Sequence, residues 1–365
     1  MRHRIVEIES LDEFDTAVAG ATADQEGAAS ISGWVVQSVD LRHRGTALSG
    51  VSVTGTIFLG CQMPITLEED LIARGALVFP SLPGVPFNPY RSGLYTAGEL
   101  YGSSTYSRSL DGRVYAWYLS QGRPAPLPGD LAMSLHDQAI GESLDDLTSS
   151  LTTRLVCVMG GHAYQRGDGA YRFAAHLGAE LSSRFTVATG GGPGAMEAVN
   201  LGARWGEAAG LDSAIDQLAR VPDYTPDITS WAKTALTLPL PPLEHATIGI
   251  PTWFYGHEPP NVFATHIAKY FSNALREDVL LTRCRGGIVV LPGAAGTVQE
   301  IFQTTTGAYY ATDPAQVTPL VLVGRNHWTH QLPAWPLLAS LAADRAMATR
   351  IHLVDTIDEV RAVLR

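Results

Sequence analysis

The chain has 365 residues, and its 25 Lys and Arg against 36 Asp and Glu give a formal net charge of −11. This acidic balance argues against nonspecific binding to nucleic acid or to an anionic membrane, because both partners need a basic protein surface. With 45% hydrophobic and 17% charged residues, the composition is typical of a globular protein and excludes a disordered chain.

The N-terminal segment lacks the apolar region of a signal peptide, and no apolar run reaches the roughly 18 residues that a membrane span needs. We therefore expect a cytoplasmic protein with no membrane partner. The 3 cysteines, Cys61, Cys157 and Cys284, form no CxxC pair, so neither a disulfide framework nor a cysteine zinc site is predicted. Only Lys233 and Lys269 could form a Schiff base.

The N-terminal part has a pattern of its own. Between Leu41 and Gly60, glycines recur at intervals of 5 residues, which predicts two β-strands with glycine turns. A solenoid is the less favoured interpretation, because about three repeats are needed to bury a core. The proline- and aromatic-rich stretch 78–95 predicts an ordered loop, and the polar segment 136–151 predicts a link to a second domain. We place an accessory domain, α+β or β-rich, at residues 1–145.

From Leu155 onward, short apolar runs alternate with amphipathic stretches, which indicates βαβ units on a doubly wound parallel sheet of the α/β class. Strands or extended segments are predicted at 155–160, 185–189, 246–251, 286–292, 319–324 and 351–354. Helices are predicted at 171–181, from 194 to 201, at about 262–282, at 297–309, at 335–348 and at the C-terminus. This second domain covers 146–365, and a chain that begins near Ser143 is expected to fold.

Three glycine-rich loops each follow a predicted strand. Loops at the carboxyl ends of parallel strands form the ligand crevice of a doubly wound sheet, and glycines let the backbone approach phosphate oxygens at the next helix. The pattern therefore favours an anionic ligand, most simply a nucleotide. The loop residues are Gly160, Gly161 and His162; Gly190, Gly191, Gly192 and Gly194; and Gly293, Ala294, Ala295, Gly296 and Thr297.

Other nucleotide motifs are absent or misplaced. Gly190, Gly192 and Ala195 match GxGxxA, but after the second strand rather than the first, which disfavours a nicotinamide oxidoreductase. The sequence has no GxxxxGK[ST], HExxH or CxxC, so we predict no P-loop chemistry, no metal and no other cofactor. Thr297 and Glu300 also form a T-x-x-E pattern, which alone predicts a helix capping box.

Two segments resemble the lonely-guy (LOG) family of nucleotide 5′-monophosphate phosphoribohydrolases. They are GGGPGAMEAVNLGA (190–203) and LPGAAGTVQEIFQ (291–303), with SNALRED between them. The resemblance covers residues 150–365 and implies a Rossmann-like fold, a homodimer or larger homo-oligomer, and cleavage of the bond between base and ribose 5′-monophosphate. The length resembles that of longer bacterial members, which carry an extra N-terminal domain. The family is also labelled lysine decarboxylase-like, but the scarcity of lysine disfavours pyridoxal chemistry.

The resemblance implies roles for individual residues. Glu300 matches the catalytic acid of the PGGxGTxxE motif, and Arg276 matches the family's catalytic arginine. Gly293, Gly296 and Thr297 match the phosphate loop, and Gly190–Gly194 with Met196 match the loop that cradles the nucleotide. The candidates for protonating the leaving base, or for otherwise facing the site, are His162, Glu197, His257, Glu258 and Asn273.

Two residues depart from the family pattern. Ala294 replaces the second glycine of PGG, which is tolerable if its φ is negative. Glu277 replaces the lysine that follows the arginine. Both departures favour the alternative of a nucleotide-binding regulatory protein without turnover, whereas the retention of Arg276 and Glu300 favours a nucleosidase. The sequence leaves the preferred base open.

Overall fold

A computed structural model describes residues 6–21, 29–207, 209–254 and 258–364. The chain divides into two compact units, one formed by the residues up to Gly93 with Gln121–Ile140, the other by Leu94–Ser120 with the residues from Gly141 onward. The division thus places Leu94–Ser120 in the second unit, while a domain boundary at residue 145 stays a prediction. None of the described helices is both long and apolar enough to cross a membrane.

The first unit is built from short strands and helices, in line with the predicted α+β character. Its elements are β1 (Glu7–Ile8), α1 (Leu11–Ala19), β2 (Ala29–Ser30), β3 (Val35–Gln37), α2 (Gly45–Leu48), β4 (Val51–Ser52), β5 (Ile57–Leu59), α3 (Ile65–Ala73) and β6 (Leu77–Phe79). The strands form a parallel sheet in the order β1-β3-β5-β6 and a parallel pair β2-β4. A separate hydrophobic core that includes Phe14, Val36 and Phe58 lies within this unit.

Two strand pairs of the first unit, β2-β4 and β3-β5, repeat at an interval of 22 residues. Strand pairing joins Ala29 to Val51 and Val35 to Ile57, which is an offset of 22 in each case. The turn residues with positive φ recur at the same interval, as Gly33 and Gly55 and as Ser38 and Gly60. The two strands predicted between Leu41 and Gly60 are present as β4 and β5, but the structural repeat is 22 residues rather than five.

The second unit carries the large sheet. Its strands are β7 (Leu155–Met159), β8 (Thr186–Thr189), β9 (Thr247–Gly249), β10 (His266–Ile267), β11 (Gly287–Val290), β12 (Leu320–Val323) and β13 (Ile351–Val354). They form a seven-stranded sheet in the order β10-β9-β8-β7-β11-β12-β13, with every pairing parallel. Strands β7, β8, β11 and β12 are buried throughout, as expected for a covered parallel sheet. The predicted α/β class with a doubly wound parallel sheet is confirmed.

Eleven further α-helices are present in the part of the chain that the structure describes. They are α4 (Ala97–Tyr101), α5 (Leu110–Gln121), α6 (Leu127–Ser150), α7 (Gly169–Ser182), α8 (Ala195–Trp205), α9 (Leu211–Leu218), α10 (Ile228–Leu236), α11 (Asn273–Arg283), α12 (Ala295–Tyr309), α13 (Ala334–Ala342) and α14 (Ile357–Val363). Helices α7 and α8 pack closely because Gly202 has no side chain: a Cβ there would lie 1.7 Å from the carbonyl oxygen of Ala175.

Three predicted segments differ from the structure. The helix predicted from about residue 262 begins only at Asn273, because residues 266–267 pair with β9 as strand β10 and Ser272 caps the helix start. The helix predicted to end at residue 348 ends at Ala342, and Asp344 follows with a positive φ of 58°. The polar segment 136–151, predicted as a link, lies almost wholly in α6.

The strand order places two loops beside each other at the centre of the large sheet. Strands β8, β9 and β10 lie on one side of β7, and β11 lies on its other side. Val290 of β11 pairs with Met159 of β7. In open α/β sheets the ligand crevice lies outside the carboxyl ends of the strands at such a reversal. The loops that leave β7 and β11 here are two of the three predicted glycine loops.

Residues 94–120 are joined to the edge of the large sheet. Tyr95 and Ile267 exchange two backbone hydrogen bonds of 2.9 and 2.8 Å. The Asp111 carboxylate accepts from the Lys269 ammonium at 2.5 Å and from the Trp253 indole at 2.9 Å. Asp111 and Lys269 are both buried, and removal of one partner of a buried ion pair typically costs about 3–5 kcal/mol.

We therefore expect a chain that begins at Leu94 to unfold at a higher temperature than one that begins near Ser143. The shorter fragment loses Asp111 and leaves the Lys269 ammonium buried without that carboxylate. The solubility and melting temperature of the two fragments measure the difference. Asp111→Ala in the full chain removes the same carboxylate by a single substitution. Equal melting temperatures would mean that residues 94–120 add no stability, and would support the boundary at 145.

Candidate functional site

A cavity of about 720 Å³ lies at the carboxyl ends of β7 and β11. All three predicted glycine loops contribute to its wall, together with residues of α11 and α12. The structure thus brings together most of the residues that the sequence singles out. The predicted residues on the wall are Gly160, Gly161, His162, Gly190, Gly192, Met196, Glu258, Arg276, Gly293, Ala294, Ala295, Gly296, Thr297 and Glu300.

Other predicted residues lie away from this wall. Gly194 and Glu197 line a second cavity of about 310 Å³, and Glu197 accepts a hydrogen bond from Arg166 Nε at 3.1 Å inside the protein. The Gly191 amide donates to Thr189 Oγ1 at 3.0 Å. Asn273 reaches the site through the carboxylate of Glu277, to which its amide donates. His257 lies outside the described residues.

The loop before α12 presents backbone donors to the cavity. Its N-cap is Ala294, whose φ of −122° is ordinary for alanine, so the departure from PGG needs no left-handed backbone. The first helical hydrogen bond runs from Val298 N to Ala294 O, so the amides of Ala295, Gly296 and Thr297 precede the helical ladder. These amides and the helix dipole together favour an anion.

The T-x-x-E pattern does not form a capping box. Helix α12 begins at Ala295, two residues before Thr297, and no side chain caps its start. The capping interpretation of Thr297 and Glu300 is therefore wrong. Glu300 belongs to the second helical turn, where its side chain is on the cavity wall.

Arg276 and Glu300 form an ion pair on the cavity wall. Arg276 Nη1 donates to Glu300 Oε1 at 3.2 Å, and the side chains are only 10% and 12% exposed. Arg276 Nε also donates to the Ile250 carbonyl at 2.8 Å, and Nη2 lies 3.4 Å from the Gly190 carbonyl. A Cβ on Gly190 would lie 2.2 Å from Arg276 Nη2, so a side chain there would force the guanidinium to move.

The ionisation of Glu300 responds to three neighbouring influences. Burial raises the pKa of the Glu300 carboxyl, the Arg276 guanidinium lowers it, and the Glu277 carboxylate raises it again, with a net upward shift. Burial therefore outweighs the favourable ion pair. The site holds a carboxylate that is more basic than an exposed glutamate.

Glu277, which departs from the pattern of the resembled family, also reaches the cavity wall. The residue is 4% exposed, and its two carboxylate oxygens accept from Asn273 Nδ2 at 2.7 Å and from Gln299 Nε2 at 2.6 Å. These two amides hold the carboxylate in one orientation. Glu277 does not displace Arg276, which reaches Glu300.

His162 and Glu258 form a more exposed pair across the cavity. His162 Nδ1 lies 3.2 Å from Glu258 Oε1, and the side chains are 52% and 22% exposed. Glu258 lies near the second glycine loop, since a Cβ on Gly192 would be 3.7 Å from Glu258 Oε2. A histidine beside a carboxylate is a common arrangement for general acid–base catalysis.

Sequence reasoning missed four polar residues of the wall, Tyr164, Thr252, Gln299 and His327. The Tyr164 hydroxyl donates to the Pro292 carbonyl at 2.9 Å, and His327 Nε2 lies 3.2 Å from the Gly293 carbonyl. His327 begins a π-helical turn shortly after β12. Its place after the strand 319–324 was the available signal, since that loop also leaves the carboxyl edge of the sheet.

No metal cluster is found in the described ranges, which hold no group of three or more His, Cys, Asp or Glu side chains suited to an ion. Independence from metal stays a prediction.

The comparisons with known proteins find structural likeness only. No family model matches the sequence, and no curated protein matches it. The molybdenum cofactor binding protein from Rippkaea orientalis is similar over 59% of this chain and 97% of its own, with 16% identity and a TM-score of 0.37. The Moco carrier protein from Chlamydomonas reinhardtii is similar over 58% and 95%, with 16% identity and a TM-score of 0.36.

Proposed function

We propose that this protein hydrolyses the N-glycosidic bond of nucleoside 5′-monophosphates, giving free base and ribose 5-phosphate. The observation that carries the proposal is the buried Arg276–Glu300 pair beside the open helix start of α12. This arrangement puts an anion site and a basic carboxylate on the wall of one cavity. The resemblance of both segments to the LOG family supports the same reaction.

The phosphate is best accommodated at the start of α12. The amides of Ala295, Gly296 and Thr297 can donate to its oxygens, and the helix dipole favours its charge. Close packing shapes this loop, because a Cβ on Gly293 would lie 2.1 Å from Thr297 Oγ1. A phosphate fixed here anchors the ribose and limits its motion, which supplies part of the catalytic rate.

Glu300 is then the group that acts at the ribose. Cleavage of the glycosidic bond develops positive charge on the ribose ring, and a carboxylate beside C1′ stabilises that charge or takes a proton from the attacking water. Arg276 keeps the carboxylate in place and retains N–H groups beyond those that bond Glu300, Ile250 and Gly190. Water adds its oxygen to C1′ while the glycosidic bond breaks towards the base.

The leaving base needs a proton, and we assign its delivery to the His162–Glu258 pair. The pair contains the histidine of the first glycine loop and lies near Gly192 of the second. Protonated His162 can donate to a ring nitrogen of the base, and Glu258 stabilises the imidazolium. Glu197 is less suited to this role, because Arg166 holds it at the second cavity.

Nucleoside monophosphates are expected to release free base, whereas the matching nucleosides are not, because nucleosides lack the phosphate that the α12 amides hold. Chromatography of free base and ribose 5-phosphate after incubation with AMP, GMP, CMP, UMP and a modified-adenine monophosphate measures this. EDTA should leave the rate unchanged. Equal rates on nucleoside and nucleotide would remove phosphate anchoring from the proposal.

The same experiment separates the enzyme from a regulatory nucleotide-binding protein. Calorimetric binding of a monophosphate without release of base would favour the regulatory protein. The φ of Ala294 weakens one of the two features that pointed that way. The other feature, Glu277, leaves the Arg276–Glu300 pair intact and is therefore compatible with turnover.

A further inference from the structure

Glu277 is a carboxylate on the cavity wall that the proposed hydrolysis does not use. Its side chain is buried, and Asn273 and Gln299 each donate one hydrogen bond to it. A carboxylate has about four acceptor positions, so about two remain after these bonds. The two amides fix its direction, which makes it a preformed acceptor rather than a mobile charge.

The charges around the cavity indicate what such an acceptor can bind. Among the wall residues that the structure describes, Arg276 is the one arginine or lysine, and it already donates to Glu300. A phosphate beside Glu277 would be repelled, and the start of α12 offers it a better place. Of the groups that a nucleoside monophosphate offers, those that can donate to a fixed carboxylate are the amino group of the base and the hydroxyl groups of the sugar.

The position of Glu277 decides which hydroxyl groups these are. Glu277 follows Arg276 on α11, and Gln299 precedes Glu300 on α12, so the Glu277–Gln299 contact lies beside the Arg276–Glu300 contact. If C1′ faces Glu300, either C2′ or the ring oxygen lies towards Glu277, and of these two only C2′ carries a hydroxyl group that can donate to a carboxylate. Acidic residues bind ribose hydroxyl groups in the same way in dinucleotide-binding sheets.

We propose that Glu277, held by Gln299, binds the 2′- and 3′-hydroxyl groups of the substrate and makes the site selective for ribonucleotides. The assignment rests on the proposed function and names its substrate class as nucleotides with a free ribose diol. Glu277 is a specificity-determining residue on this account. The replacement of lysine by glutamate therefore adds a contact to the sugar.

The first test uses the unaltered enzyme. We expect kcat/KM for the best monophosphate to exceed that of its 2′-deoxy and 3′-deoxy analogues by roughly 10- to 100-fold, the range for a hydrogen bond to a charged group. The 2′-hydroxyl withdraws electrons and destabilises a cationic ribose, so the 2′-deoxy nucleotide is intrinsically the more reactive substrate. A preference for the ribonucleotide over its 2′-deoxy analogue must therefore come from the site. An equal kcat/KM for the 3′-deoxy analogue, which lacks this gain in reactivity, would overturn the proposal.

The second test changes the residue. Glu277→Gln should lower kcat/KM more for the ribonucleotide than for the 2′-deoxy nucleotide, which has only the 3′-hydroxyl contact to lose, so the ratio between the two substrates should fall. Asp278→Asn is the matched control, because it removes the same charge from a neighbouring position on α11 that does not line the cavity, and it should keep the wild-type ratio. Equal losses on both substrates would show that Glu277 acts only through the Glu300 carboxylate or through the contact between α11 and α12, and would overturn the proposal.

A binding measurement on the wild-type protein tests the diol contact even if the Glu277→Gln variant does not fold or the proposed reaction does not occur. Calorimetry with the wild-type protein should show ribose 5-phosphate binding roughly 10- to 100-fold more tightly than 2-deoxyribose 5-phosphate. This preference does not require turnover, so it supports the diol contact even if no base is released. Equal affinities would overturn the diol contact and leave the nucleosidase proposal standing.

Discussion

Glu300→Gln is expected to abolish most release of base while leaving the fold and nucleotide binding nearly intact. The substitution keeps the shape of the side chain and an oxygen that can accept from Arg276 Nη1. It removes the charge that faces the developing cation, and loss of one such electrostatic group typically lowers turnover roughly a hundredfold or more. Turnover, calorimetric affinity for a monophosphate and melting temperature are the three measurements.

The pKa of Glu300 explains why the fold should tolerate this change. Burial raises the pKa above 4.5, so the protonated carboxyl suits the folded state better than the ionised form does. The stability from this preference is present below the unfolded pKa and is lost as the pH rises through the folded pKa. Glutamine stays neutral at every pH, so the variant does not bear the cost of a buried ionised carboxylate near pH 7. This gain in stability offsets the weaker hydrogen bond between glutamine and Arg276.

Glu69→Gln on α3 is the control for Glu300→Gln, because it makes the same chemical change at an exposed helical position in the first unit. It should behave as wild type in all three measurements. Retention of most activity by Glu300→Gln would move the catalytic carboxylate elsewhere on the wall, with Glu258 the first candidate. A large fall in melting temperature would instead indicate a structural role for the charge.

The sequence predicted the large sheet well because its central strands are buried. Strands such as 286–292 are continuous apolar runs followed by glycine, and in an α/β chain this pattern is typical of a covered parallel strand. The parallel order then fixes which loops share an edge. The glycine loops could therefore be placed on one cavity before any side-chain contact was known.

The elements that sequence reasoning missed are those without a local signal. Strand β10 has two residues, too few to show a period, and it exists because residues 266–267 pair with β9. The 22-residue repeat of the first unit was hidden in the same way, since its strands have two or three residues. Such strands are specified by their neighbours, and a window along the sequence does not contain those neighbours.

The residues of the candidate site also fall into those with a local sequence signal and those that depend on contacts between elements. The sequence motifs indicated Glu300 and Arg276 individually, but their contact depends on α11 and α12 meeting beside β7. Glu277 was identified only as a departure from a family pattern, because its bonds to Asn273 and Gln299 join two helices. His327 was missed because a histidine in a loop has no motif around it. Side-chain contacts between different helices and loops decide these roles, and the spacing of residues within one helix does not reveal those contacts.

Arg276→Ala is expected to weaken nucleotide binding, slow turnover and lower the melting temperature together. The change leaves the buried Glu300 carboxylate without its guanidinium, and breaking a buried pair in this way typically costs about 3–5 kcal/mol. Arg276→Lys should be intermediate, since an ammonium keeps the charge but cannot bond Ile250, Gly190 and Glu300 with one planar group. Arg283→Ala, on the same helix, should stay near wild type.

The double variant Arg276→Ala with Glu300→Gln separates the structural effect from the catalytic one. If the instability of Arg276→Ala comes from an unpaired buried carboxylate, replacing that carboxylate by a neutral amide should recover much of the melting temperature. Activity should remain absent, because the group that acts at the ribose is missing as well. A double variant that melts as low as Arg276→Ala would instead assign the loss to the bonds from Arg276 to the backbone of Ile250 and Gly190, and the pair with Glu300 would then contribute to chemistry rather than to stability.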